Sequence, residues 1–147
     1  MQRQSSNLCI RKIEYVFYHE KSISDAVLEA RNEPGGHTGG NAGHAFVSDP
    51  TAIKAIKNAE ELKVITIDGD HKVSYPERWL RVCAAVRADS NTDAIKREIF
   101  RRRYGGEPYQ RTCADVCIGE TTYWMNLKEI RSYALACACQ EGLVKVF

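Results

Sequence analysis

No stretch of this 147-residue chain approaches the roughly 18 consecutive apolar residues that a membrane-spanning helix requires. Its first residues, Met1 through Ser6, lack the apolar core of a secretion signal. A cytoplasmic location is therefore expected, and the six cysteines are expected to be reduced thiols rather than bridges. Net charge is small as well. At +2, with 21 Lys and Arg against 19 Asp and Glu, it does not by itself announce a nucleic-acid partner.

Several chemical motifs are missing too. Cys9, Cys83, Cys113, Cys117, Cys137 and Cys139 do not form the paired Cys-x-x-Cys units of a zinc site, and they read as small thiols filling a core. Residues 35–44, five of them glycine, form an expected flexible loop flanked by His37 and His44. No strand precedes that loop and no Gly-Lys-Ser/Thr ends it, so a phosphate cradle is not expected and the two histidines read as solvated. Asp68-Gly69-Asp70 lacks the downstream Glu of a calcium loop. No nucleophile and base stand together with local support. The expectation is a non-enzyme with no metal and no cofactor.

What is present is one domain's worth of chain, 44% hydrophobic and 27% charged. The class expected is mainly α. Leu8 to Arg31 reads as one long N-terminal helix, with Leu8, Ile10, Ile13, Tyr15, Val16, Phe17, Ile23, Val27 and Leu28 near helical spacing. Ser48 or Asp49 caps a second helix, with Pro50 at its first position and Ile53, Ile56, Ala59 and Leu62 on one face. Residues 63–75 read as a small β-hairpin around Asp68-Gly69. Pro76 opens a helix carrying Trp79, Leu80, Cys83 and Val86, and residues 90–93 follow as a loop and cap. This divides the chain into N-terminal helices over 1–62, a hairpin or connector over 63–75, and a C-terminal domain over 76–147.

The last third is the most informative part. Residues 96–147 carry 9 Lys and Arg against 6 Asp and Glu, whereas the rest carries 12 against 13. A basic helix ends at Arg101-Arg102-Arg103-Tyr104, where Gly105-Gly106 break it. A short helix starts near Glu107-Pro108 and runs to Val116, and the three residues 117–119 turn into a long amphipathic helix. In that helix Tyr123, Leu127, Ile130, Ala134 and Cys137 form an apolar seam, which places Thr121, Met125, Lys128 and Ser132 on the opposite face. This is the layout of a helix-turn-helix DNA reader, whose second helix contacts bases with its N-terminal turns. Glu120, Thr121, Trp124, Met125 and Lys128 are the candidates for base or phosphate contact. Arg101, Arg102, Arg103, Arg111 and Arg131 are the candidates for backbone contact. Trp124 and Met125 also fit a core or protein-contact role.

Arg103-Tyr104, Gly106, Tyr109, Val116, Ile118 and Thr122-Tyr123, at this spacing, resemble region four of bacterial sigma factors. The glycine-rich loop followed by Ser48-Asp49-Pro50-Thr51-Ala52, upstream of that module, is similar to phage late-transcription regulators of the ArpU and RinA kind. The resemblance covers most of the chain in order. The 63–75 hairpin departs from the all-helical middle of those families, and Thr112-Cys113 stands where they carry an Ile-Ala pair. The resemblance implies a helical bundle with a C-terminal sigma region-four-like helix-turn-helix, in a phage or prophage regulator that binds double-stranded promoter DNA and touches RNA polymerase. A homodimer or higher homo-oligomer fits the same reading. The alternatives are a DNA-packaging protein like a small terminase subunit, and a protein-only adaptor of the transcription machinery.

Overall fold

A computed structural model describes residues 2–32 and 60–145. Its elements are α1 (Gln2–Tyr18), α2 (Glu20–Asn32), β1 (Val64–Ile67), β2 (His71–Ser74), α3 (Pro76–Ser90), α4 (Ala94–Tyr104), α5 (Tyr109–Val116) and α6 (Glu120–Gln140). Among the described residues the chain is thus mainly helical, with one small antiparallel sheet. No described helix is long and apolar enough to cross a membrane. The glycine-rich loop with His37 and His44, the Ser48-Asp49-Pro50 helix start, and Ile53, Ile56 and Ala59 lie outside the described residues.

The chain forms two compact units, one built from residues up to Lys21 and from Arg78 onward, the other from Ser22 to Glu77. In the first, α6 is the central helix, with α1, α4 and α5 all packed on it. Its core joins Ile13, Val16 and Phe17 of α1, Trp79, Val82, Cys83 and Val86 of α3, Ile99 and Phe100 of α4, and Tyr123, Leu127, Ile130, Ala134, Cys137 and Ala138 of α6, all buried. The apolar seam expected along α6 is therefore the buried one, because residues spaced three and four apart share a face. Phe17, Phe100 and Tyr104 meet edge to face, with ring centroids 4.9 to 5.4 Å apart. Asp93 caps α4 by accepting from the amides of Ile95 (2.8 Å) and Lys96 (3.2 Å).

In the second unit, β1 and β2 pair in the register Val64 with Ser74 through Ile67 with His71. Residues 68–70 form the turn, and Asp68 (φ 51°) and Gly69 (φ 88°) take the positive φ that Asp and Gly tolerate best. Ile65, Ile67 and Val73 are buried, while the alternate positions face solvent. Arg31 of α2 bonds Glu77 through Nε (2.8 Å) and a terminal nitrogen (2.5 Å), and it also donates to the Glu60 carbonyl (2.8 Å).

Three expectations are corrected. The long N-terminal helix is two helices, interrupted at His19. The His19 ring stacks on Tyr15 at 4.0 Å, and its Nδ1 donates to the Tyr15 carbonyl at 2.8 Å. The His19 amide is shared between the carbonyls of Tyr15 and Val16, which tightens the last turn of α1. Leu8 and Leu28, counted in the apolar stripe, are exposed. Leu62, expected on a helix face, lies in no helix, because the chain is already extended there. The Lys63 carbonyl accepts from the Tyr75 amide at 2.8 Å and so continues the hairpin.

Candidate functional site

The C-terminal region is organised by how α4 ends and α5 begins. Gly106 takes φ 89°, and the Glu107 amide reaches back to the Arg102 carbonyl at 2.9 Å, so the last carbonyls of α4 are satisfied as the chain turns. α5 ends at Cys117, which holds a left-handed conformation (φ 58°, ψ 47°) that a non-glycine residue rarely adopts. The Ile118 amide donates to the Cys113 carbonyl at 3.1 Å, and Gly119 (φ −75°, ψ 162°) precedes the first turn of α6. The turn thus comprises the three residues 117–119, with its left-handed position at Cys117 rather than at its glycine. Thr112 is fully buried, and its hydroxyl donates to Glu107 at 3.3 Å.

Around this turn the candidate residues divide into two groups. The first is engaged inside the molecule. Arg102, with only 21% of its side chain exposed, meets Glu98 at 3.0 Å, Glu107 at 3.3 Å and Asp115 at 2.7 Å. One guanidinium therefore ties α4 to the α4–α5 link and to α5, and its planar fork of five donors suits three acceptors. Arg103 and Arg131 both bind Glu14 of α1 through Nε, at 3.4 Å and 2.5 Å. The Tyr104 hydroxyl donates to the same carboxylate at 3.0 Å. Burial, with Glu14 alongside, holds the Tyr104 phenol above its ordinary pKa. Trp124, 38% exposed, packs with Tyr109 (5.2 Å) and Tyr123 (5.1 Å, nearly perpendicular), and its indole N–H donates to Glu120 at 3.3 Å. Arg103 lies over that indole at 5.9 Å. Trp124 thereby clamps α5 to α6.

The second group faces outward. Thr121, Met125, Lys128 and Ser132 are exposed along α6, and Met125 keeps 60% of its surface. Arg101 is exposed while pairing with Glu98 at 2.8 Å. Arg111, 74% exposed, pairs with Glu107 at 3.3 Å. Such exposed pairs are weak and are readily exchanged for another anion. The outward face therefore offers hydroxyls, one thioether, one ammonium and two guanidiniums.

Reading along the sequence missed the part played by α1. Asn7, Ile10, Arg11 and Glu14 of α1, with Arg103 and Arg131, line an open groove of about 470 Å³. Glu14 stands 89 and 117 residues from its two arginine partners, so no local pattern in the chain announces the pairing.

The thiols are divided in a similar way. Cys83 and Cys137 are buried, Cys9 and Cys113 are half-buried, and Cys117 and Cys139 are exposed, so the expectation that the cysteines fill the core holds for only part of the set. Cys117 is displaced outward by the left-handed cap, and Cys139 follows the buried pair Cys137-Ala138 on the other side of α6. Burial and the neighbouring Glu20 push the Cys83 thiol up to about 12. Among the described residues, no three His, Cys, Asp or Glu side chains group as a metal site. Comparison of the chain with protein-family models, with curated proteins and with solved structures finds no match.

Proposed function

We propose that this chain is a sequence-specific DNA-binding transcription regulator, of the phage late-gene kind, in which α5, the turn and α6 are a sigma region-four-like helix-turn-helix. On this reading α6 enters the major groove of double-stranded DNA. The reading is carried by one observation: α6 buries one full stripe against α1, α4 and α5, yet leaves Thr121, Met125 and Lys128 open on its N-terminal turns. A reading helix needs that combination, because it must be fixed by its own core while its first turns stay bare. Thr121 can bond either kind of base edge, Met125 can pack on a thymine methyl, and Lys128 can reach guanine or phosphate. Arg101 and Arg111 are exposed cations that can meet the DNA backbone. Arg102, by contrast, braces the motif. The protein carries no catalytic function on this reading.

Met125 beside Trp124 supports a second reading, in which the same face docks a protein such as RNA polymerase. Two substitutions separate the readings. Under DNA binding, Lys128→Ala weakens duplex affinity, and Arg111→Ala lowers the salt dependence of binding by about one ion. If both leave DNA binding untouched while Met125→Ala abolishes polymerase capture, the protein-docking reading replaces the first.

A further inference from the structure

The groove between α1 and α6 holds three guanidiniums, Arg11, Arg103 and Arg131, against one carboxylate, Glu14. Glu14 engages Arg103 and Arg131 at Nε and is itself largely buried, so it fixes two of the cations without neutralising the set. Arg11 is exposed on the outer wall, with the amide of Asn7 one helical turn before it. Two fixed cations, an exposed one and an amide donor make a receptor for a tetrahedral oxyanion, since guanidinium forks match phosphate oxygens in pairs.

The position of the groove says which oxyanion. Arg131 follows Lys128 by three residues, on the same side of α6. At about 1.5 Å of rise per residue it lies roughly 16 Å along the helix from Glu120. The major groove is about 12 Å wide, so a helix that seats its first turns on bases carries Arg131 to the level of the flanking sugar-phosphate chain. The groove is also open to solvent rather than enclosed, which suits a passing strand better than a small trapped ion.

We infer that the α1–α6 groove is a seat for a backbone phosphodiester, and that α1, through Arg11 and Asn7, is a DNA-contacting element beside the helix-turn-helix. This rests on the DNA-binding reading above and adds a second contact region to it.

The test is duplex binding by the full chain, followed by fluorescence anisotropy between roughly 50 and 200 mM salt. Arg11→Gln is expected to lower the slope of log affinity against log salt by about 0.9 and to weaken all sequences alike. Arg11→Lys, which keeps the charge, retains the slope. Lys21→Gln, an exposed cation outside the groove, leaves it unchanged. An unchanged slope in Arg11→Gln, with the wild-type chain still binding DNA, overturns the groove assignment and leaves the helix-turn-helix reading in place. An equal loss in Lys21→Gln also overturns it, as an effect of net charge alone. So does binding of inorganic phosphate that is lost in Arg11→Gln while the DNA slope stays put, because the seat then serves a free anion. A wild-type chain that binds no duplex sinks the DNA-binding reading itself, and the diester assignment with it.

Discussion

Three consecutive arginines close α4, and their neighbours give them different roles. Arg101 points to solvent, Arg102 is held by three carboxylates, and Arg103 lies between Glu14 and the Trp124 ring. Removing Arg102 leaves Glu98, Glu107 and Asp115 close together with no shared cation, and like charges at short range repel. Arg102→Ala is therefore expected to lower the melting temperature clearly, while Arg101→Ala leaves it within experimental error. Thermal unfolding of the two variants side by side checks this, and equal melting temperatures would contradict the bracing role. Cys83 makes stability depend on alkaline pH. Its thiol is raised from 9.0 to about 12, so the folded state holds the proton more tightly than the unfolded one. The resulting stability is complete below pH 9 and is lost as pH rises from about 9 toward 12. The raised phenol of Tyr104 acts in the same direction. Alkaline denaturation should steepen in that window, and Cys83→Ala should flatten it.

Among the elements, the turn between α5 and α6 carries identifiable strain. Cys117 occupies a left-handed conformation that costs a side-chain-bearing residue roughly 1 kcal/mol or more relative to glycine. Among the described residues its exposed thiol makes only a long contact, to the Ala114 carbonyl at 3.8 Å. Cys117→Gly is thus expected to stabilise the protein by up to about 1 kcal/mol in urea unfolding, with the slope of the transition unchanged. A loss of stability would mean that the thiol is needed where it stands. The α1–α2 break shows why element ends are hard to read from the chain. Ile13, Val16, Ile23 and Val27 keep the same seven-residue phase on both sides of His19, so the periodicity runs straight through the one-residue interruption there. The ends of α4 and α5 were legible for the opposite reason, since Asp93, Gly106 and the 117–119 turn act within a few residues of the backbone they terminate.

At the scale of the whole molecule, local spacing and long-range pairing contribute differently to the candidate site. The buried seam of α6 and its open face follow from the positions of Tyr123, Leu127, Ile130 and Ala134 alone, and both are visible in the chain. Which arginines stay free does not follow from spacing. It depends on Glu14, which the fold delivers from the far end of the sequence, and on Asp115, which meets Arg102 only once α5 has turned back. Arg101, Arg111, Lys128 and the groove-lining Arg11 are consequently exposed, whereas Arg102 is held inside the motif and Arg103 is pinned by Glu14 at the wall of the groove. On the proposed reading, this surface reads duplex DNA. Anisotropy of the wild-type chain on phage late-promoter DNA and on random duplex, across a salt series, tests it directly. Binding is expected to be tighter on the promoter, with affinity on both duplexes falling steeply as salt rises. Equal affinity for the two duplexes, with no dependence on salt, would contradict it.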